Sequence, residues 1–184
     1  MQKDKVLQLM KLFSEKLGGS ISDVKMMKLL YFTDRLCLLN TGHPVSYDNY
    51  YSLNRGPILS QTKAIIDANT DVDYLAIFTN PEVCHSPKGF PLKRFSIKEN
   101  QKEHDALSEE EIDFAEQIFA QIGQLDDDDI VSYSHRKDIC PEWSWPDGSR
   151  RPIDLESIFR TIGMDDSEIA NQVKEINYHK RLLV

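Results

Sequence analysis

Cysteine is scarce and ill-placed for cross-linking: the 184 residues hold three, Cys37, Cys84 and Cys140. An odd number, scattered so far apart, excludes a disulfide framework and reads as the reduced thiols of a cytoplasmic protein. Long apolar runs are missing too. The most apolar stretch, residues 21–39, is interrupted by Asp23, Lys25, Lys28, Asp34 and Arg35, which argues against a membrane span. The N-terminus passes from Met1-Gln2-Lys3-Asp4-Lys5 straight into an amphipathic pattern, unlike a signal peptide. Basic charge is in deficit, with 22 Lys and Arg against 30 Asp and Glu and a net charge of −8. The phosphate-neutralising stripe of a nucleic-acid binder is therefore not expected.

Catalytic motifs are lacking as well. There is no phosphate-cradling glycine loop followed by Lys-Ser/Thr, no G-x-S-x-G elbow, no H-E-x-x-H and no paired C-x-x-C. His43, His85, His104, His135 and His179 are dispersed, and neither His135 with Cys140 nor Cys84 with His85 supplies the two ligand pairs of a zinc site. Ser134-His135 are sequence neighbours, which do not face each other on a helix, so a nucleophile–base pair is not expected. The run Asp126 to Asp129 continues into Ile130-Val131-Ser132-Tyr133 and fails the calcium-loop pattern. It reads instead as a helix start, with Asp128 or Asp129 as the cap, and as solvated charge. No metal and no cofactor are expected.

What is present is a helical pattern. In residues 3–17, Val6, Met10, Phe13 and Leu17 recur on one face, and Gly18-Gly19 then end the helix. Ser20 or Ser22 caps a second helix over about 23–40, apolar on nearly every side, which must be wrapped by other elements. Pro57 opens a helix over 58–68. Residues 45–53 read as strand or extended loop, while 74–78 and 92–97 read as two short strands flanking a Pro-rich loop at 80–91. Ser108 and Glu111 form a capping box for a helix ending at Gly123. After the irregular stretch 138–152, Asp154 and then Asp165 start the last two helices. The expectation is a mainly α fold, one domain over 1–184, compact around the buried helix and carrying a small two-stranded β insertion.

Two groups of residues are candidates for a partner surface. Tyr47, Tyr50, Tyr51, Arg55 and Trp145 belong to the residue types that anchor protein interfaces. Tyr31, Phe32 and Trp143 read as core. The second group is acidic. Residues 108–130 hold Glu109, Glu110, Glu111, Asp113, Glu116 and the four aspartates with no Lys or Arg, so the rest of the chain is close to neutral. Glu109, Glu110, Asp113 and Glu116 form a face that would steer a basic partner by long-range attraction.

The order of several short motifs carries a resemblance. Lys28-Leu29-Leu30-Tyr31-Phe32-Thr33-Asp34 is followed by Asn40-Thr41-Gly42-His43-Pro44-Val45, then by Tyr50 and Gly56-Pro57-Ile58. Later come Leu107-Ser108-Glu109-Glu110, Ser134-His135, Pro141-Glu142-Trp143 and Ile153-Asp154. Over residues 3–176 this resembles the Panacea (SocA-like) antitoxin domain family, whose members are also known as phage-associated proteins. The resemblance implies a non-enzymatic bacterial or prophage antitoxin that neutralises a cognate toxin by direct binding. Similar domains pair with many unrelated toxins, and one branch implies the alternative of an adaptor delivering its toxin to a AAA+ protease. Members often carry an added DNA-binding domain, for which this chain leaves no room. Ser52-Leu53-Asn54-Arg55 and the Pro-rich loop depart from the family pattern, so toxin identity does not carry over. A metal-dependent hydrolase built on His135, Cys140 and the aspartate run is the least supported alternative.

Overall fold

The computed structural model describes residues 1–68, 71–98 and 105–183; His104 lies outside them. Helix α1 (Lys3–Lys16) buries Val6, Leu7, Leu9, Met10 and Phe13, and stops where Gly18 and Gly19 turn to positive φ. Strand β1 (Ser20–Ser22) leads into α2 (Asp23–Thr41), whose first turn is capped by the Ser22 hydroxyl accepting from Lys25 N–H at 3.1 Å. Gly42, at φ 80°, ends α2 in the left-handed conformation that costs glycine little. Helix α2 is buried on every side, Tyr31 and Phe32 included. Around it pack α1, α5 (Glu109–Ile122) and α6 (Asp127–Ser134). Among the described residues no helix is long and apolar enough to cross a membrane.

The strand content exceeds the expected two-stranded insertion. Among the described residues, six strands form two three-stranded antiparallel sheets. One sheet is ordered β1, β5 (Pro91–Ser96), β4 (Glu82–His85), with Ile21 opposite Phe95 and Cys84 opposite Leu92. The other places β2 (Tyr50–Leu53) between β3 (Gly56–Leu59) and β6 (Arg151–Ile153), with Ser52 opposite Pro57 on one side and Arg151 on the other. Residues 74–78, expected to be a strand, belong mostly to helix α4 (Val72–Ile77), because Asp71 accepts from the N–H groups of Asp73 and Tyr74 at its N-terminus. Ile58 and Leu59 are strand, and helix α3 starts at Ser60 (Ser60–Ala68). Its free N–H groups go to Asp48, which accepts from Gln61 and Thr62 at 2.9 and 2.8 Å. The Pro-rich loop contains β4, and the irregular stretch after Asp138 ends in β6.

Of the aspartate run, Asp126 is the cap of α6, accepting from Asp128 and Asp129 N–H. Asp127 and Asp128 are buried, against the expectation of solvated charge. Asp127 accepts the Ser22 hydroxyl, and Asp128 accepts the backbone N–H of Lys88 at 2.7 Å. Both staple α6 to the β1–β5–β4 sheet. The capping box of Ser108 and Glu111 on α5 is formed as expected. Two helices complete the chain: α7 (Leu155–Phe159), capped by Asp154, and α8 (Asp166–Leu182), capped by Asp165.

Candidate partner-binding face around the Gly56-Pro57 turn

The hairpin joining β2 to β3 turns at Asn54 and Arg55, and Gly56 takes φ 96° to close it. Beneath the turn lies Lys28, a fully buried ammonium that donates to Pro57 O at 2.7 Å. Burial pulls its pKa down to about 7, with the charges of Arg55 and Lys63 adding to the effect. A β-carbon at position 56 would meet Ser134 Oγ at 2.3 Å and Lys28 Cε at 2.9 Å. The glycine is therefore required for close approach as well as for its dihedral.

Beside the turn an apolar cleft of about 310 Å³ opens between α2, the hairpin and α3. Val24, Met27, Ile58 and Ile66 form its walls, with Asp23, Lys63 and Asp67 at the polar edge. Arg55 lies on the rim. Its guanidinium is over the ring of Phe90 at 5.5 Å, and one nitrogen donates to Pro91 O at 3.3 Å. Its other terminal nitrogen is buried with no hydrogen-bond partner among the described residues. A cation on the rim of an apolar cleft is suited to an apolar side chain arriving beside a carbonyl or carboxylate oxygen.

The loop after Cys140 is fixed to the same turn. Trp143 donates from Nε1 to Leu53 O at 3.1 Å and stacks on His135 with ring centroids 3.9 Å apart. Trp145 stands edge-on to both rings and is 61 % exposed. Glu142 ties the loop to α2: it accepts from Tyr31 Oη and Arg35 Nε, both at 2.6 Å, and from the Cys140 thiol at 3.2 Å. Burial works against its ionisation, but the Arg35 guanidinium outweighs that and holds the carboxyl below its ordinary pKa.

The candidate residues fall in separate places. Arg55 and Trp145 flank the turn, and Tyr51 is half-buried on β2 under the Arg150 guanidinium at 4.9 Å. Tyr50 is a correction. Its side chain is buried and its hydroxyl donates to Asp34 at 2.7 Å, because β2 alternates and Tyr50 faces the core. Tyr47 neighbours His43 and His179 instead of Arg55. Glu109, Glu110 and Asp113 are exposed on α5, whereas Glu116 pairs with Lys16 at 2.6 Å. Phe90 (53 % exposed) and Arg150 were not legible as candidates, since a lone aromatic in a Pro-rich loop and an arginine in an irregular loop carry no local signal.

A hydrolytic centre is not assembled from the residues considered for one. Ser134 donates its hydroxyl to Val131 O at 2.8 Å, not to His135. His135 is held near pKa 4 by burial and by the Lys28 charge, and its Nε2 is buried without a partner among the described residues. The Cys140 thiol is pushed up to about 12 by burial and then by Glu142, so it stays protonated and a poor nucleophile. The dispersed histidines do meet elsewhere: His43, Glu175 and His179 bring their ligand atoms within 4.8 Å of one another.

The family model for the Antitoxin SocA-like, Panacea domain matches residues 26–144, a segment running from α2 through the Gly56-Pro57 turn to the Trp143 loop. No curated protein and no solved structure matches the chain.

Proposed function

The chain belongs to the SocA-like antitoxin family that carries the Panacea domain, and from that premise we propose that it neutralises a cognate toxin by direct, non-enzymatic binding at the face around Arg55. The observation supporting this reading is an apolar cleft with Arg55 on its rim, exposed Phe90 against the Arg55 guanidinium, and exposed Trp145 on the loop that Trp143 ties to the same turn. Aromatic and arginine anchors around an apolar depression are what interface hot spots are made of. The frame behind them is cross-tied: Lys28 and Trp143 donate to the hairpin carbonyls of Pro57 and Leu53, and the Glu142 carboxylate accepts from Tyr31 on α2.

Co-expression with the toxin encoded beside this gene, followed by pull-down, tests the reading. A stoichiometric complex and restored growth are expected. Arg55→Ala and Trp145→Ala should each weaken the complex by about tenfold, the loss of one moderate hot spot. No complex with the wild-type chain would end the proposal, and a complex indifferent to both substitutions would move the contact away from this face. Toxin half-life separates masking from delivery to a AAA+ protease: an unchanged half-life during full neutralisation supports masking, and a shortened one the adaptor.

A further inference from the structure

Helix α8 is thinly anchored. Of its seventeen residues only Ile169 and Ile176 are buried, and much of its attachment to the end of α2 is polar. Gln172 donates to Gly42 O at 2.9 Å and Lys180 to Asp48 O at 2.7 Å. At this junction His43, just past the α2 cap, faces Glu175 and His179, which are one helical turn apart on α8. Positions four apart lie on the same helix face, so two ligands from α8 converge on the one from the α2 end.

The geometry matches a coordination sphere better than a hydrogen-bonded cluster. His43 Nε2 lies 3.5 Å from Glu175 Oε1, and His179 Nε2 lies 3.9 Å from the same oxygen. Both exceed ordinary hydrogen-bond lengths. For bonds of roughly 2.0–2.1 Å to a tetrahedral ion, neighbouring ligand atoms are separated by about 3.3 Å, so the two imidazoles need to close on Glu175 by about 0.2 and 0.6 Å and on each other from a separation within 4.8 Å. The two imidazole rings meet at 87° with centroids 5.5 Å apart, as rings do when they point at a common centre from different directions. Tyr47 adds an orienting partner: its hydroxyl lies 3.1 Å from His43 Nδ1. With Nδ1 protonated and donating to that oxygen, the lone pair of Nε2 faces Glu175. Tyr47 is held there at φ 51°, the one positive φ at a non-glycine among the described residues.

We propose that His43, Glu175 and His179 bind a divalent transition-metal ion of the zinc class, which clasps α8 to the end of α2. Two imidazoles and one carboxylate suit zinc, cobalt or nickel, whereas calcium and magnesium require sets of oxygen ligands. The residues are part-exposed, with side-chain exposures of 36 %, 53 % and 43 %, so the ion can enter and a solvent molecule can complete its sphere. None of the three lines the Arg55 cleft, so the proposal stands apart from toxin binding.

Untagged, metal-stripped protein titrated with Zn²⁺ and Co²⁺ tests it. One saturable equivalent is expected, with the visible absorption of tetrahedral Co²⁺ and a rise in melting temperature that Mg²⁺ does not reproduce. Glu175→Ala and His179→Ala should each lower affinity by about a hundredfold or more, and Tyr47→Phe by about tenfold, as losses of ligands and of an outer hydrogen bond respectively. His85→Ala, at an exposed histidine on β4, should bind as wild type. Melting of the metal-free variants confirms that they are folded. Absence of saturable binding overturns the proposal, and so does affinity that survives in both Glu175→Ala and His179→Ala.

Discussion

The buried ammonium of Lys28 donates to the carbonyl oxygen of Pro57 at 2.7 Å, which pins the hairpin of the candidate face to the central helix. Burial lowers the pKa of Lys28 from 10.5 to about 7. Between those values the unfolded chain holds the proton and the folded chain has released it. Stability therefore rises with pH across this window, and below pH 7 the folded state bears the cost of the buried charge in full. The rise is at most about 5 kcal/mol at 1.36 kcal/mol per unit. Urea denaturation of wild type and Lys28→Met from pH 6 to pH 10 checks it: their stability difference should drift in favour of the wild type as pH rises. A constant difference would mean that Lys28 keeps its ordinary pKa.

Gly56 should be harder to replace than Gly163, a glycine of similar dihedral after α7. Alanine there meets both the positive φ and the contact with Ser134 and Lys28. Gly163 has a similar φ of 75° with nothing within 4 Å of an added β-carbon. The expected losses are roughly 3 kcal/mol for Gly56→Ala and about 1 kcal/mol for Gly163→Ala, read from denaturation midpoints. Equal losses would show that the dihedral alone matters at position 56.

Much of the helical frame was legible because its signals are local. An all-round apolar run gives α2, glycines give the ends, and Ser108 with Glu111 gives the start of α5. The strands were harder. Val83 on β4 is 79 % exposed, and β6 is two arginine- and proline-bearing positions before Ile153, so neither shows alternation. Six residues holding Tyr74 and Ile77 fit strand or helix equally by pattern, and the Asp71 cap decides for helix. In a run of four aspartates the cap is degenerate, and the burial of Asp127 depends on Ser22, 105 positions away. Arg55 was visible by residue type, but its cleft is made by α2, α3 and the hairpin together, and such convergence leaves no mark on local sequence. The same holds for His43 with Glu175 and His179, where only the four-residue spacing on α8 is local.

Glu142 should be worth more to stability than a typical ion pair. Its side chain is fully buried, that of Arg35 is 16 % exposed, and both Tyr31 and Cys140 also depend on it. Glu142→Ala would strand three donors and is expected to cost about 3 kcal/mol, near the lower end for breaking a buried pair. Glu142→Gln keeps an acceptor for Tyr31 and should cost less. Because its pKa is held below the ordinary value, the contribution is present above pH 4.5 and lost as pH falls through the folded value. Loss of the acid-side slope in Glu142→Gln, measured by denaturation between pH 2 and pH 6, checks the assignment.

Among the described residues, the acidic segment divides into charges with structural partners and charges exposed without one. Glu111 caps Ser108 and pairs with Lys5, Glu116 pairs with Lys16, and Asp127 and Asp128 are buried. Glu109, Glu110 and Asp113 stay exposed on the first turns of α5. If they steer a basic toxin, neutralising all three should slow association several-fold at low salt while leaving dissociation unchanged. The difference should vanish near 1 M salt, where screening acts within roughly 3 Å. Glutamates in a first helical turn also favour the helix, by about 0.3–1 kcal/mol each. The variant's folded fraction must therefore be matched before rates are compared. Stopped-flow association across a salt series separates the roles. A rate that falls only at low salt assigns these residues to steering, and a rate equal to wild type at every salt leaves them as helix-start charges alone.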